Sequence, residues 1–131
     1  MSRRKIREQI FKMLFQIEFH EKESFETQLG LFMNELEESD EEKRAYIEQK
    51  IRCIIAYLDE IDTIINEKSV GWKTTRMAKV DLALIRLAVY EIKYETDMPT
   101  GVAINEAVEL AKIYSNDGSP SFVNGVLAKL V

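Results

Sequence analysis

The chain is short of most residues that build covalent frameworks or catalytic sites. Cys53 is its only cysteine and His20 its only histidine. One cysteine excludes an intramolecular disulfide and any multi-cysteine metal site. The two residues fall on different predicted helices with no supporting motif, so nucleophilic catalysis has no basis. No Glu-x-x-His pair offers a carboxylate site in a helical bundle, and neither a Walker loop nor a G-x-G-x-x-G turn is present. Five glycines and two prolines are too few to punctuate an all-β fold. No apolar run approaches the roughly 20 residues needed to span a bilayer, and no apolar region follows the basic N-terminus as a signal peptide requires. The expectation is one soluble, cytoplasmic domain over residues 1–131, not an enzyme, with no cofactor and no metal.

What is present is the composition of a compact helical protein: 46% hydrophobic and 31% charged residues in 131. That length suffices for a real hydrophobic core. The net charge of −5 argues against a generally adhesive nucleic-acid binder, but it is unevenly spread. Residues 1–12 hold Arg3, Arg4, Lys5, Arg7 and Lys12 against Glu8 alone, a net +4, which leaves −9 for the remainder. From Glu21 to Glu48 ten acids face only Lys22, Lys43 and Arg44. Such segregation fits one basic docking end on an otherwise repelling surface, or else a solvated tail.

The first helix is predicted from about Arg3 to Phe19, with Ile6, Ile10, Met13, Leu14 and Ile17 as its core stripe. Phe11, Phe15 and Phe19 follow one another at four-residue steps, and Arg4, Phe11 and Phe15 share a flank roughly 140° to 180° from Ile6. Two readings stay open for these rings: burial against a second layer of helices, or a partly exposed Phe15 that serves an unstacked base. His20 fits a cation at the helix C-terminus or a surface residue.

A second helix spans roughly Ser24 to Glu37, with Phe25, Leu29, Phe32, Met33 and Leu36 inward. Ser39 and Glu42 fit a capping box that opens the longest predicted helix, Asp40 to Glu67. Ile47, Ile51, Ile54, Leu58, Ile61 and Ile65 form a seam in it. The partner of that seam is either within the chain or, in a coiled-coil homodimer, a second copy. Gly71 permits a turn, and Trp72 is expected to anchor the segment after it. The helix predicted from about Thr75 to Tyr94 is apolar almost all round and so belongs at a centre. Within it the few charges, Asp81, Arg86 and Glu91, stand out: an arginine there must be paired or reach a surface, and a structural ion pair with Glu106 or Glu109 is the expectation for Arg86.

From Pro99 to Leu127 the pattern is a helical pair. Thr100 is a candidate cap, and Ile104, Ala107, Val108 and Ala111 share a face. Asn116 to Ser119 are turn formers, Ser119-Pro120 is a helix start, and Phe122, Val123, Val126, Leu127 and Leu130 make the next apolar face.

The strings VAINEAVELAK (Val102 to Lys112), FVNGVL (Phe122 to Leu127) and DLALIRLAVYE (Asp81 to Glu91) resemble the NusB family of bacterial transcription antitermination factors. The likeness is strongest from Trp72 to Leu130 and in the basic first helix; between Glu21 and Ile65 only the helical pattern supports it. It implies an all-α, NusB-like bundle of about six to seven helices in two packed three-helix groups. It also implies binding to the boxA element of nascent ribosomal RNA, jointly with the ribosomal protein NusE, in a complex that lets RNA polymerase pass terminators.

The resemblance assigns RNA contacts to Arg3, Arg4, Lys5, Arg7 and Phe15, the last standing where a tyrosine is common. It assigns further RNA contacts to the loop with Asn116, Ser119 and Phe122, beside the basic helix, and a NusE contact to Asp81. Gly118 and Ser121 stand where an acid and a basic residue are common, which leaves backbone contacts there. Two other classes stay open: a protein-interaction module without RNA, and the RNA-binding domain of an RNA methyltransferase. The absence of a glycine-rich cofactor segment weighs against the last. A homodimer that masks the RNA face is compatible with the sequence.

Overall fold

The computed structural model describes residues 1–131 as seven α-helices without a strand. They are α1 (Arg3–Ile17), α2 (Phe25–Glu35), α3 (Glu41–Ala56), α4 (Leu58–Lys68), α5 (Lys79–Tyr94), α6 (Thr100–Tyr114) and α7 (Ser119–Ala128). Short 3₁₀ turns at Lys22–Ser24 and Thr74–Arg76 precede α2 and α5. Two compact units divide the chain, Met1–Ile55 and Ala56–Val131. No helix is long and apolar enough to cross a membrane.

In the first unit α1 packs on α2, and the predicted stripe is the buried one: Ile6, Ile10, Met13 and Leu14, joined by Leu29, Met33 and Leu36 and by Ile47, Ile51 and Ile54. The polar ends are closed by side chains. Arg44 donates to the carbonyls of Met33, Leu36 and Glu38 at 2.7, 3.1 and 3.0 Å, so the orphan acceptors at the end of α2 find a charged donor. The cap of α3 is Asp40, whose Oδ1 accepts from the Glu42 amide at 2.9 Å, and not the Ser39 box expected. Because α3 begins at Glu41, Asp40 is the residue whose short carboxylate reaches the first-turn amides. Arg52 ties α3 to Glu26 of α2 through two hydrogen bonds of 2.7 and 3.0 Å.

The long helix foreseen from Asp40 to Glu67 is two. Tyr57, at φ −99° and ψ 10°, leaves the helical range and separates α3 from α4. Its ring stacks on Tyr94 at 4.5 Å, a contact within the second unit, and neither glycine nor proline marks the break. Of the expected seam, Ile47, Ile51 and Ile54 are fully buried in the first unit and Ile61 and Ile65 in the second, while Leu58, beside the break, is half-buried.

In the second unit α5 is central and packs on α4, α6 and α7. Every residue from Asp81 to Glu91 is buried, and each large side chain so buried contributes about 1.5–3 kcal/mol. The helix starts at Lys79, later than expected, because Met77 and Ala78 are extended. Arg86 finds a partner the sequence did not suggest: its Nε and Nη2 donate to the two carboxylate oxygens of Asp62 at 2.9 and 2.7 Å. On α6 the buried face is Ala103, Ala107, Leu110 and Ala111, while Ile104 and Val108 are half-buried. Pro99 occupies the cap position of α6, so Thr100 is already helical and caps nothing.

Candidate nucleic-acid interface

The basic start of the first unit is built on a capped helix. Ser2 Oγ accepts from the Lys5 amide at 3.2 Å and sets the direction of α1. Arg3, Arg4 and Lys5 fill the first turn and are exposed. No acid shares that turn, so its charge adds to the positive end of the helix dipole. Lys5 Nζ is paired with Glu8 at 3.3 Å. Arg7 differs from the other three: only 7% exposed, it is embedded in the unit.

The aromatics of α1 resolve into a gradient. Phe11 is 3% exposed, Phe15 half-buried and Phe19 60% exposed. Centroids lie 6.5 Å apart from Phe11 to Phe15 and 5.0 Å from Phe15 to Phe19, the latter pair edge to face. Burial and exposure thus both hold, one at each end of the ladder. Phe15 stands eleven residues from Arg4, about 16 Å along the axis on the same flank.

In the second unit the structure joins Asp81, Asn116 and Ser119 in one cluster. Asp81, on the first turn of α5, is 6% exposed. Its Oδ1 accepts from the Ser115 hydroxyl at 3.1 Å and its Oδ2 from that of Ser119 at 3.2 Å. The two hydroxyls are 2.6 Å apart, and Asn116 Oδ1 lies 3.1 Å from Ser119 Oγ. The hydroxyl of Ser119 therefore serves Asp81 and not the cap of α7, where Gly118 takes the cap position. Ser115 was not foreseen. A serine after a helix reads as a turn former, and nothing local signals a carboxylate 34 residues away.

The amides at the start of α7 are mostly committed. Gly118 N–H donates to Asn116 Oδ1 at 3.1 Å, Ser119 N–H to the Asn116 carbonyl at 3.1 Å, and Phe122 N–H to the Gly118 carbonyl at 3.1 Å. Pro120 has no N–H, so Ser121 alone could offer an amide to a phosphate there. The Gly118 amide is thus engaged within the loop. Asn116 is exposed and Phe122 half-buried. Trp72, expected as an anchor, is half in solvent and meets Phe122 edge to face at 5.2 Å.

The model of the NusB family matches residues 4–131. A curated relative from Agathobacter rectalis, transcription antitermination protein NusB, is 60% identical over 129 residues, which cover 98% of each chain. Among solved structures, T. maritima NusB superposes with a TM-score of 0.86 at 34% identity, covering 99% of this chain and 90% of that one. A crystal structure of antitermination factors NusB and NusE in complex with dsRNA contains a chain with the same fold, at a TM-score of 0.84 and 22% identity, covering 99% and 97%.

Proposed function

The chain belongs to the NusB family, and from that premise we propose that it is a transcription antitermination factor that binds the boxA element of nascent ribosomal RNA together with NusE and helps RNA polymerase pass terminators. The observation that carries the RNA assignment is the first turn of α1: three exposed cations in a chain of net charge −5, on the helix that also carries the graded aromatic ladder. Arg3, Arg4 and Lys5 hold phosphates and position the strand without reading sequence. Phe15, with one flank in solvent, stacks on or lines the path of a base. Arg7 acts from within the unit as a support for that turn. Asn116 and Phe122 add contacts from the loop and start of α7. Ser119 and Asp81 act through the loop they hold, and Asp81 thereby supports the NusE contact.

The test is a titration of fluorescein-labelled boxA and scrambled RNA, with and without NusE, at two salt concentrations. The R3A/R4A variant is expected to lose affinity and to flatten the dependence of log K on log salt by about 1.4, since each phosphate contact on a single strand contributes about 0.7. Its thermal midpoint is expected to stay within the range of surface substitutions. Equal affinity for boxA and scrambled RNA refutes the sequence assignment. Unchanged affinity in R3A/R4A refutes the role of the first turn.

A further inference from the structure

The segment from Lys68 to Lys79 is a second basic stretch that the proposed function has not used. It reads KSVGWKTTRMAK: Lys68, Lys73, Arg76 and Lys79 without one acid, in a chain where acids outnumber bases 23 to 18. All four cations are exposed. Amid them Trp72 is 52% exposed, an unusual state for the residue with the largest apolar surface. The exposure is built into the loop. Gly71 turns the chain at φ 89°, the Ser69 hydroxyl holds the Trp72 carbonyl, and Trp72 N–H donates to the Ser69 carbonyl at 3.1 Å. Asn66 then clasps Thr74 twice, accepting from its amide at 2.8 Å and donating to its hydroxyl at 3.3 Å. The indole is backed by Phe122 in an edge-to-face contact with an interplanar angle of 72°. Whichever ring presents its edge, that contact covers at most one face of the indole.

A rigid, half-open indole flanked by cations is the arrangement that stacks unpaired bases while it holds their phosphates. Tryptophan and arginine are also prominent at protein interfaces, but an acid-free run of four cations favours a polyanion. We propose that residues Lys68–Lys79 form a further contact for single-stranded RNA, with Trp72 stacking on a base and Lys73 and Arg76 on the adjoining phosphates. The proposal rests on the RNA-binding reading above and adds to it residues outside α1 and the α6–α7 loop.

Trp72 is the only tryptophan, so its emission reports on the site directly. Intact protein is titrated with unlabelled boxA RNA while emission is followed, and in parallel with the labelled RNA for anisotropy. Emission is expected to be quenched with the same midpoint as the anisotropy. W72L is expected to weaken RNA binding about 5- to 150-fold, the range that corresponds to about 1–3 kcal/mol per stacked base, while W72F retains most of the affinity. K73A/R76A, which leaves the indole in place, should flatten the salt dependence. RNA binding with unmoved emission and wild-type affinity in W72L and K73A/R76A overturns this contact and leaves the RNA assignment of α1 standing. Loss of NusE binding with intact RNA affinity overturns it in favour of a protein contact. No RNA binding by the wild-type chain overturns both.

Discussion

The cluster around Asp81 gives the sharpest test of how the second unit holds its loop. Ser119 Oγ has one proton and three acceptors within reach: Asp81 Oδ2 at 3.2 Å, Asn116 Oδ1 at 3.1 Å and Ser115 Oγ at 2.6 Å. Asn116 Oδ1 already receives the Gly118 amide at 3.1 Å, and a bond to a carboxylate is the stronger one. The Ser119 proton is therefore shared between Asp81 and the 2.6 Å contact with Ser115, and the Ser115 hydroxyl donates to the other carboxylate oxygen. Hydrogen bonds to a charged group contribute about 1.5–3 kcal/mol each. An acid on the first turn of α5 adds about 0.3–1 kcal/mol against the helix dipole. Since the freed hydroxyls can pair with each other, D81A is expected to cost about 3 kcal/mol and S119A about 1.5 kcal/mol. D81N keeps one acceptor and should cost less than D81A.

Urea unfolding followed by Trp72 emission measures each value. In the D81A/S119A cycle the double variant should fall short of additivity by about 1 kcal/mol, as for residues in one hydrogen-bonded network. Additive losses, or a D81A cost within the roughly 0.5 kcal/mol of an ordinary surface change, refute the assignment of the protons. The same variants separate two ways in which Asp81 could serve a protein partner. If it acts through the loop, S119A weakens NusE binding in step with D81A. If D81A abolishes that binding at full stability while S119A is silent, Asp81 touches the partner directly.

Three further outcomes rest on other contacts. R86A leaves the Asp62 carboxylate without its bidentate partner between α4 and α5 and should cost about 2–4 kcal/mol, below the full range for buried pairs because Asp62 is partly hydrated; denaturant midpoints check it. Gly71 lies at φ 89°, and a Cβ added there would meet nothing within 4 Å, so G71A costs only backbone strain, about 1–2 kcal/mol by chemical denaturation. The hydrogen bonds and charge of Arg52 hold the Glu26 carboxyl below its ordinary 4.5. A lowered folded-state value gives stability that is complete above the unfolded value and fades as pH falls through the folded one. Thermal midpoints of E26Q should therefore fall less steeply below about pH 4.5 than those of the wild type; parallel acid limbs count against the pairing.

What the sequence made legible was whatever depends on near neighbours. The stripe on α1, the seam from Ile47 to Ile65 and the all-round burial of α5 are periodic, and the structure keeps them. The break at Tyr57 was hidden because the apolar spacing of the sequence stays in phase across it, and the ring on which Tyr57 stacks, Tyr94, is 37 residues away. The same limit hid the partners of the buried charges. Arg86 to Asp62 spans 24 residues and Ser119 to Asp81 spans 38, and short polar side chains carry no periodic signal. The phenylalanines of α1 show the boundary most clearly. Four-residue spacing places all three on one flank, but their depth, from 3% to 60% exposed, is set by tertiary packing that the spacing does not encode.

The basic turn of α1 was legible for a further reason: it goes against the rule its neighbours follow. The first turns of α2, α3, α4 and α5 carry Glu26, Glu41 and Glu42, Asp59 and Glu60, and Asp81, as the helix dipole favours. In α1 the corresponding positions are Arg3, Arg4 and Lys5, each unfavourable there by a few tenths of a kcal/mol. Lys5 has Glu8 beside it at 3.3 Å, with the lysine exposed and the glutamate nearly buried, and that pair offsets part of this. Three cations and no acid on the exposed first turn, beside a regular buried stripe, leave that turn open to stabilisation by an anion. An anionic strand removes the conflict, because its phosphates supply the negative charge that the turn lacks. The first turn of α1 should accordingly be stabilised by RNA, and amide exchange at residues 5–8 should slow when boxA is added and stay unchanged with a neutral oligomer of equal length.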